Sequence, residues 1–266
     1  MSGNVLLQRT NRTAWITIDR PEAKNALTHA MLATLTDIVA GLANDTTVDV
    51  VILRGAGTDF CAGADLGDIA AILEARPAQR GQAFEQAMRD RIQPLAQALL
   101  TLRQPVVASA RGHAIGIGVL FLLAADLVVA SETAKLTLPQ VKLGHTVDHG
   151  ESWLLPRKVG QARAMQMCLL GERMSAIDAE RFGLANWVSA DAELEARTQS
   201  VVEALLAVAP VALANTKALL KSSAGASLTE QFEAEVRSAS SCAATTDFVE
   251  AISAQMQRRA PLFTAT

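Results

Sequence analysis

The chain has 266 residues, 50% of them hydrophobic and 19% charged, with a formal net charge of -3. That length buries a substantial core, as one large domain or a main domain with an appendage, and the absence of a Lys/Arg block argues against a nucleic-acid partner. Its cysteines, Cys61, Cys168 and Cys242, are scattered without a Cys-x-x-Cys pair, which excludes a disulfide framework and fits a reducing, cytoplasmic setting.

The first stretch, Met1 to Thr13, is polar and alternating and lacks the apolar core of a signal peptide. Strands are predicted at Val5 to Gln8 and Ala14 to Asp19, where alternation sets Ile16 and Ile18 toward a core. Pro21 ends the second, and Thr28 is placed to cap an amphipathic helix through about Leu42. Val50 to Arg54 reads as a buried strand stopped by Gly55-Ala56-Gly57, and a polar helical segment follows from about Arg80 to Leu102. Val106 to Ala110, Leu127 to Ala130 and Lys135 to Thr137 are further strands. The apolar run Ala114 to Ala130 is broken by Gly116, Gly118 and Asp126. It is too short for a membrane span of about 20 residues and reads as a buried helix running into a strand. From about Ala190 strand signals vanish, and Ser227 with Glu230 forms a capping box before a helix. Stacked strand–helix units therefore give way to an all-helical tail, with a division near residues 1–195 and 196–266.

Two segments carry chemistry. Phe60-Cys61-Ala62-Gly63-Ala64-Asp65-Leu66 and Gly112-His113-Ala114-Ile115-Gly116-Ile117-Gly118 each follow a strand and lead into a helix, where unpaired N–H groups and a positive dipole end meet. Each alone is also what an ordinary strand-to-helix turn looks like. Together they can offer one N–H each to a single oxygen, as an oxyanion hole requires.

In order, these motifs resemble the crotonase superfamily of enoyl-CoA hydratases and isomerases. The resemblance runs from Arg20-Pro21-Glu22-Ala23-Lys24-Asn25-Ala26-Leu27 through both turns to Leu138-Pro139-Gln140, Leu155-Pro156-Arg157, Gly160-Gln161-Ala162-Arg163 and Phe182-Gly183-Leu184-Ala185. It implies an α/β fold: a repeated ββα superhelical spiral with a C-terminal helical trimerisation region. It further implies an acyl-CoA thioester as substrate, no cofactor beyond the coenzyme A that the substrate carries, and a homotrimer or hexamer. Carried over by residue, the oxyanion donors are the N–H groups of Ala64 and Ile117. Lys24, Ala26, Asp65, Leu66 and Gly67 would lie along the CoA, and Arg259 and Phe263 would reach a neighbour's nucleotide pocket.

The pattern departs from the hydratases at the two glutamates that hold their water. Leu120 and Gln140 stand there, and neither can exchange a proton, so hydration is not expected. Asp148 falls where several branches place a catalytic acid, among them the isomerase of phenylacetate breakdown, which this chain resembles most closely. The aromatic acyl-CoA dehalogenases also use an aspartate there, but their base histidine has no counterpart: the helix before Pro105 offers Gln93 and Gln97. A single aspartate can take a proton from the carbon chain and return it two carbons away, with Leu120 and Ile117 keeping the pocket apolar. His145 and Glu151 are auxiliary candidates, while His149 reads with His145 as an exposed loop histidine, and His113 and His29 as structural or surface residues. The spacing of His145, Asp148 and His149 matches no recognised metal pattern, so no metal is expected. Other acyl-CoA enolate chemistry, such as hydrolysis or carbon–carbon cleavage, and a non-catalytic acyl-CoA-binding role remain open.

Overall fold

The computed structural model describes residues 3–70 and 73–264. Among the described residues nine strands form two sheets: β1 (Asn4–Thr10), β2 (Thr13–Asp19), β3 (Val50–Gly55), β4 (Val106–Ala110), β5 (His113–Ile115), β6 (Leu127–Ser131), β7 (Lys135–Thr137), β8 (Arg173–Ser175) and β9 (Trp187–Ser189). The larger sheet has the order β1-β2-β3-β4-β6-β9, antiparallel only at β1-β2, and the smaller is β5-β7-β8. β5, β8 and β9 are additions to the sequence reading. Each is three residues long and becomes a strand by pairing, β5 and β8 with β7 and β9 with β6.

Alternation covers both faces of the large sheet, as expected where parallel strands are buried on two sides. Val51 and Leu53 point into the main core with Ile16, Ile18 and Ala108. Val50, Ile52, Val107 and Val129 point the other way, onto Leu194, Val201 and Val202 of the helix Leu194–Leu206. The expected helix after Thr28 spans His29–Ala43, with the Thr28 hydroxyl accepting from Met31 N–H at 3.2 Å. The segment expected as one helix from Arg80 is instead Pro77–Ala87 and Gln93–Thr101, joined by a wide turn at Met88–Ile92 just before Pro94. Proline lacks the N–H a regular turn would use, and the chain widens there.

The tail is helical as expected, ending in Pro210–Ser222, Leu228–Ala243 and Thr246–Gln257, and the Ser227–Glu230 capping box is present. Lys217 ties Pro210–Ser222 to the core, with its ammonium 2.6 Å from Asp126 and 2.7 Å from the Gln104 carbonyl. Among the described residues no single helix is long and apolar enough to cross a membrane.

One buried side chain organises the loop that leads to the site. Asn25 has a left-handed backbone, φ 59°, which asparagine tolerates better than most residues. Its amide donates to the carbonyls of Ala56 (2.9 Å) and Asp59 (2.6 Å), and its oxygen accepts from Arg20 N–H (2.9 Å). Asn25→Ala leaves those carbonyls without their donor, and a loss of about 2 kcal/mol of stability is expected. A denaturation midpoint equal to wild type would show that the amide does not bind the loop together.

Candidate active site

The two glycine-rich turns are stitched to each other. Cys61 N–H donates to the His113 carbonyl and Ile115 N–H to the Cys61 carbonyl, both at 2.9 Å. On the outer side Leu27 N–H reaches the Gly63 carbonyl (2.8 Å) and Asp65 N–H reaches the Leu27 carbonyl (2.9 Å). Ala64 is thus clamped from both neighbours while its own N–H makes no hydrogen bond among the described residues. Ile117 opens the helix Ile117–Ala124, so its N–H has no intrahelical acceptor. Gly116 before it adopts φ 53°, ψ -114°, a conformation open essentially to glycine alone. Both residues line one cavity of about 480 Å³. Its wall is mainly apolar and includes Leu66, Ile69, Phe84 and Met88 from the segment before β4.

His113 serves the frame, as expected. Asp59 accepts from its backbone N–H (2.9 Å) and pairs with its Nδ1 (2.6 Å). Burial would raise the Asp59 pKa, but the bonds from His113 outweigh it and hold the carboxyl below its ordinary range.

Of the positions expected along the CoA, Asp65 and Leu66 line the cavity. Asp65 pairs with Arg20 at 2.6 Å, which lowers its pKa, and it accepts from Gly67 N–H at 2.8 Å at the start of the helix Leu66–Ala70. Lys24, Ala26 and Gly67 are not on the cavity wall. The Lys24 carbonyl accepts from Ala62 N–H, and the Ala26 carbonyl from Arg20. Arg259 is engaged within the chain by Glu250, at 2.5 and 2.8 Å.

Leu120 corrects the sequence reading. It is fully buried in the core and takes no part in lining the cavity, whereas Ile117 does. Its helix follows the turn so closely that the third position after Ile117 packs inward with Phe121 and Leu123.

The loop after Gly144 brings four ionisable groups together. Asp148 lines the cavity, and its Oδ1 is sealed inside without a hydrogen bond. Glu151 is the first residue of the helix Glu151–Val159 and is completely buried. It accepts from His149 N–H (2.7 Å), from His149 Nδ1 (3.0 Å) and from the Gln140 amide (3.3 Å). His149 also sits 3.4 Å from Asp148 and lines the cavity, with only 10% of its side chain exposed. It is therefore no exposed loop histidine. Gly150, at φ 88°, folds the chain back so that a carboxylate two residues on reaches the ring. A Glu opening a helix just after His-Gly is the signal that could have revealed the pair. His145 is the looser member, 3.9 Å from Asp148 Oδ2 and edge-on to Phe84 at 5.6 Å.

Environment sets these groups apart. Burial raises the Asp148 pKa, with the Glu151 charge adding and the His149 charge opposing. Burial would raise Glu151 as well, yet the bond and charge of His149 hold it below its ordinary value. Burial pulls His149 down, and the bond and charge of Glu151 together with Asp148 more than reverse this. Ligand atoms of Asp148, His149 and Glu151 lie within 4.8 Å of one another, but the Glu151 oxygens and His149 Nδ1 already satisfy each other.

A model of the enoyl-CoA hydratase/isomerase family matches residues 8–266. The chain belongs to this family. It is an acyl-CoA enzyme with the crotonase fold, as the motifs implied. A crystal structure of an enoyl-CoA hydratase from Bacillus anthracis superposes with a TM-score of 0.90 at 28% identity, covering 99% of this chain and 100% of the other. The 1,2-epoxyphenylacetyl-CoA isomerase of Escherichia coli is 33% identical over 94% of both chains. The 2,3-dehydroadipyl-CoA hydratase of the same organism is 32% identical over 97% of this chain and 98% of its own. Relatives within the family thus carry both hydratase and isomerase names.

Proposed function

We propose that this protein is an enoyl-CoA isomerase that moves a double bond from C3 to C2 of an acyl-CoA through a thioester enolate. The observation that carries this reading is the placement of Asp148. A carboxylate of raised pKa shares one apolar cavity with the unpaired N–H groups of Ala64 and Ile117. In the reaction the thioester oxygen sits between those two N–H groups, which stabilise the negative charge as it forms. Asp148 takes a proton from C2, and the enolate is then protonated at C4. Burial suits Asp148 to this, since a base works best when its pKa approaches the working pH. The two positions where the family's hydratases carry water-holding glutamates hold a core leucine and a buried amide here. Exposed Leu228, Phe232, Val236 and Ile252 on the tail helices support assembly as a trimer or hexamer.

Incubation with 3-enoyl-, 2-enoyl- and arylacetyl-CoA thioesters tests the reading. Conversion of the 3-enoyl thioester to the 2-enoyl isomer is expected, without release of free CoA. Hydration of the 2-enoyl thioester as the main activity, or thioester cleavage, would overturn it.

A further inference from the structure

We propose that His149 is a second catalytic residue of this cavity, held by Glu151 as its positioning residue, and that it delivers the proton to C4 after Asp148 has removed one from C2. The inference rests on the isomerase reading above and changes which group completes the reaction.

The geometry begins with Glu151. A fully buried carboxylate that meets His149 at both its backbone N–H (2.7 Å) and its Nδ1 (3.0 Å) fixes the ring plane and places a proton on Nδ1. Such an orienting carboxylate is what an acid–base histidine requires. Nδ1 is engaged by Glu151, which leaves Nε2 as the ring nitrogen available to the cavity that His149 lines. Among the described residues Nε2 makes no hydrogen bond, and it is not fully buried. Asp148 Oδ1 lies 3.4 Å from Nδ1, so two carboxylates flank the imidazole and favour its charged form, which carries a transferable Nε2–H.

Other groups near this pair leave the assignment intact. His145 approaches Asp148, at 3.9 Å. Gln140 bonds Glu151 and also supports the charged form of Asp148. Cys168, from the helix Gln161–Leu170, has its thiol pKa raised by burial and by the Glu151 charge. Asp65, Asp68, Asp90, Arg91 and His29 line the cavity, and none of them hydrogen-bonds His149 among the described residues.

The step balances. Asp148 breaks the C2–H bond as base, and the electron pair passes into a dienolate whose oxygen rests on the Ala64 and Ile117 N–H groups. The dienolate takes the Nε2 proton at C4, which forms the new C–H bond and restores the carbonyl. Asp148 is left protonated and His149 neutral. Water entering the emptied cavity removes one proton and returns the other. The hydrogen lost from C2 therefore goes to water, and the one gained at C4 comes from water.

A 3-enoyl-CoA dideuterated at C2, turned over in ordinary water and followed by mass spectrometry, tests this on the whole protein. Wild type is expected to give product with one deuterium, at C2, and none at C4. In His149→Gln, where only Asp148 can return a proton, kcat should fall about 100-fold and product retaining both deuteriums should rise. Glu151→Gln keeps the shape of the buried partner but removes its charge. It should move the basic limb of the kcat profile to lower pH with KM little changed, which a purely structural role would not do. A wild type that isomerises yet carries deuterium to C4, or a His149→Gln variant with unchanged kcat and labelling, overturns the role of His149 alone. A wild type without isomerase activity overturns the reading beneath it, and this assignment with it.

Discussion

Asp148→Asn is expected to lower kcat for conversion of a 3-enoyl-CoA to its 2-enoyl isomer by about 10²- to 10⁴-fold, the range for loss of a general base, with KM little changed. The amide keeps the volume and can still face the cavity, so acyl-CoA binding should survive. The pH profile makes the test sharper. Asp148 acts as a base only when ionised, and burial, aided by Glu151, raises its pKa. The acid limb of kcat/KM should therefore lie above the ordinary aspartate value of about 3.9, and activity should fall as pH drops through the raised value. That limb should vanish from the residual activity of the variant. An Asn variant that isomerises at the wild-type rate would remove Asp148 from the chemistry, whatever its place in the cavity.

Legibility in the sequence followed length scale. Strands with four or more alternating or branched residues, such as β2 and β3, announced themselves, as did the Thr28 cap and the Ser227–Glu230 box, because the signals and their structural causes are local. β8 and β9 did not. Arg173-Met174-Ser175 and Trp187-Val188-Ser189 have no period to read and become strands only through the edges they meet. The turns bearing Ala64 and Ile117 were visible because close backbone approach demands small residues near each other. Leu120 was misplaced for a related reason: its spacing from the turn was clear, but the inward face of a helix hydrophobic all round cannot be told from the sequence. His149 was missed because its burial depends on the left-handed Gly150, which brings Glu151 under the ring. A row of polar loop residues looks the same whether solvent or a carboxylate is its partner.

Gly118→Ala is expected to lower kcat by about 10²- to 10³-fold, the loss seen when an oxyanion donor is displaced. The reason is contact and not conformation. A Cβ on Gly118 would stand 2.3 Å from the Cys61 carbonyl oxygen and 3.2 Å from its carbon. That carbonyl is the acceptor for Ile115 N–H, the bond that joins the two turns. The backbone at Cys61 or the start of the helix must give way, and with it the spacing between the Ala64 and Ile117 N–H groups. Gly116→Ala makes the contrasting control. Nothing lies within 4 Å of its added Cβ, so it clashes with no neighbour. Its φ of 53° instead imposes backbone strain of about 1–3 kcal/mol. Thermal melts should therefore register Gly116→Ala as a stability defect. Gly118→Ala should combine a large loss of kcat with retained CoA binding by calorimetry. Wild-type kcat in Gly118→Ala would mean that the two donors hold their spacing without the Cys61 junction. The oxyanion hole would then depend on the clamp of Ala64 by Leu27 and the left-handed Gly116 alone.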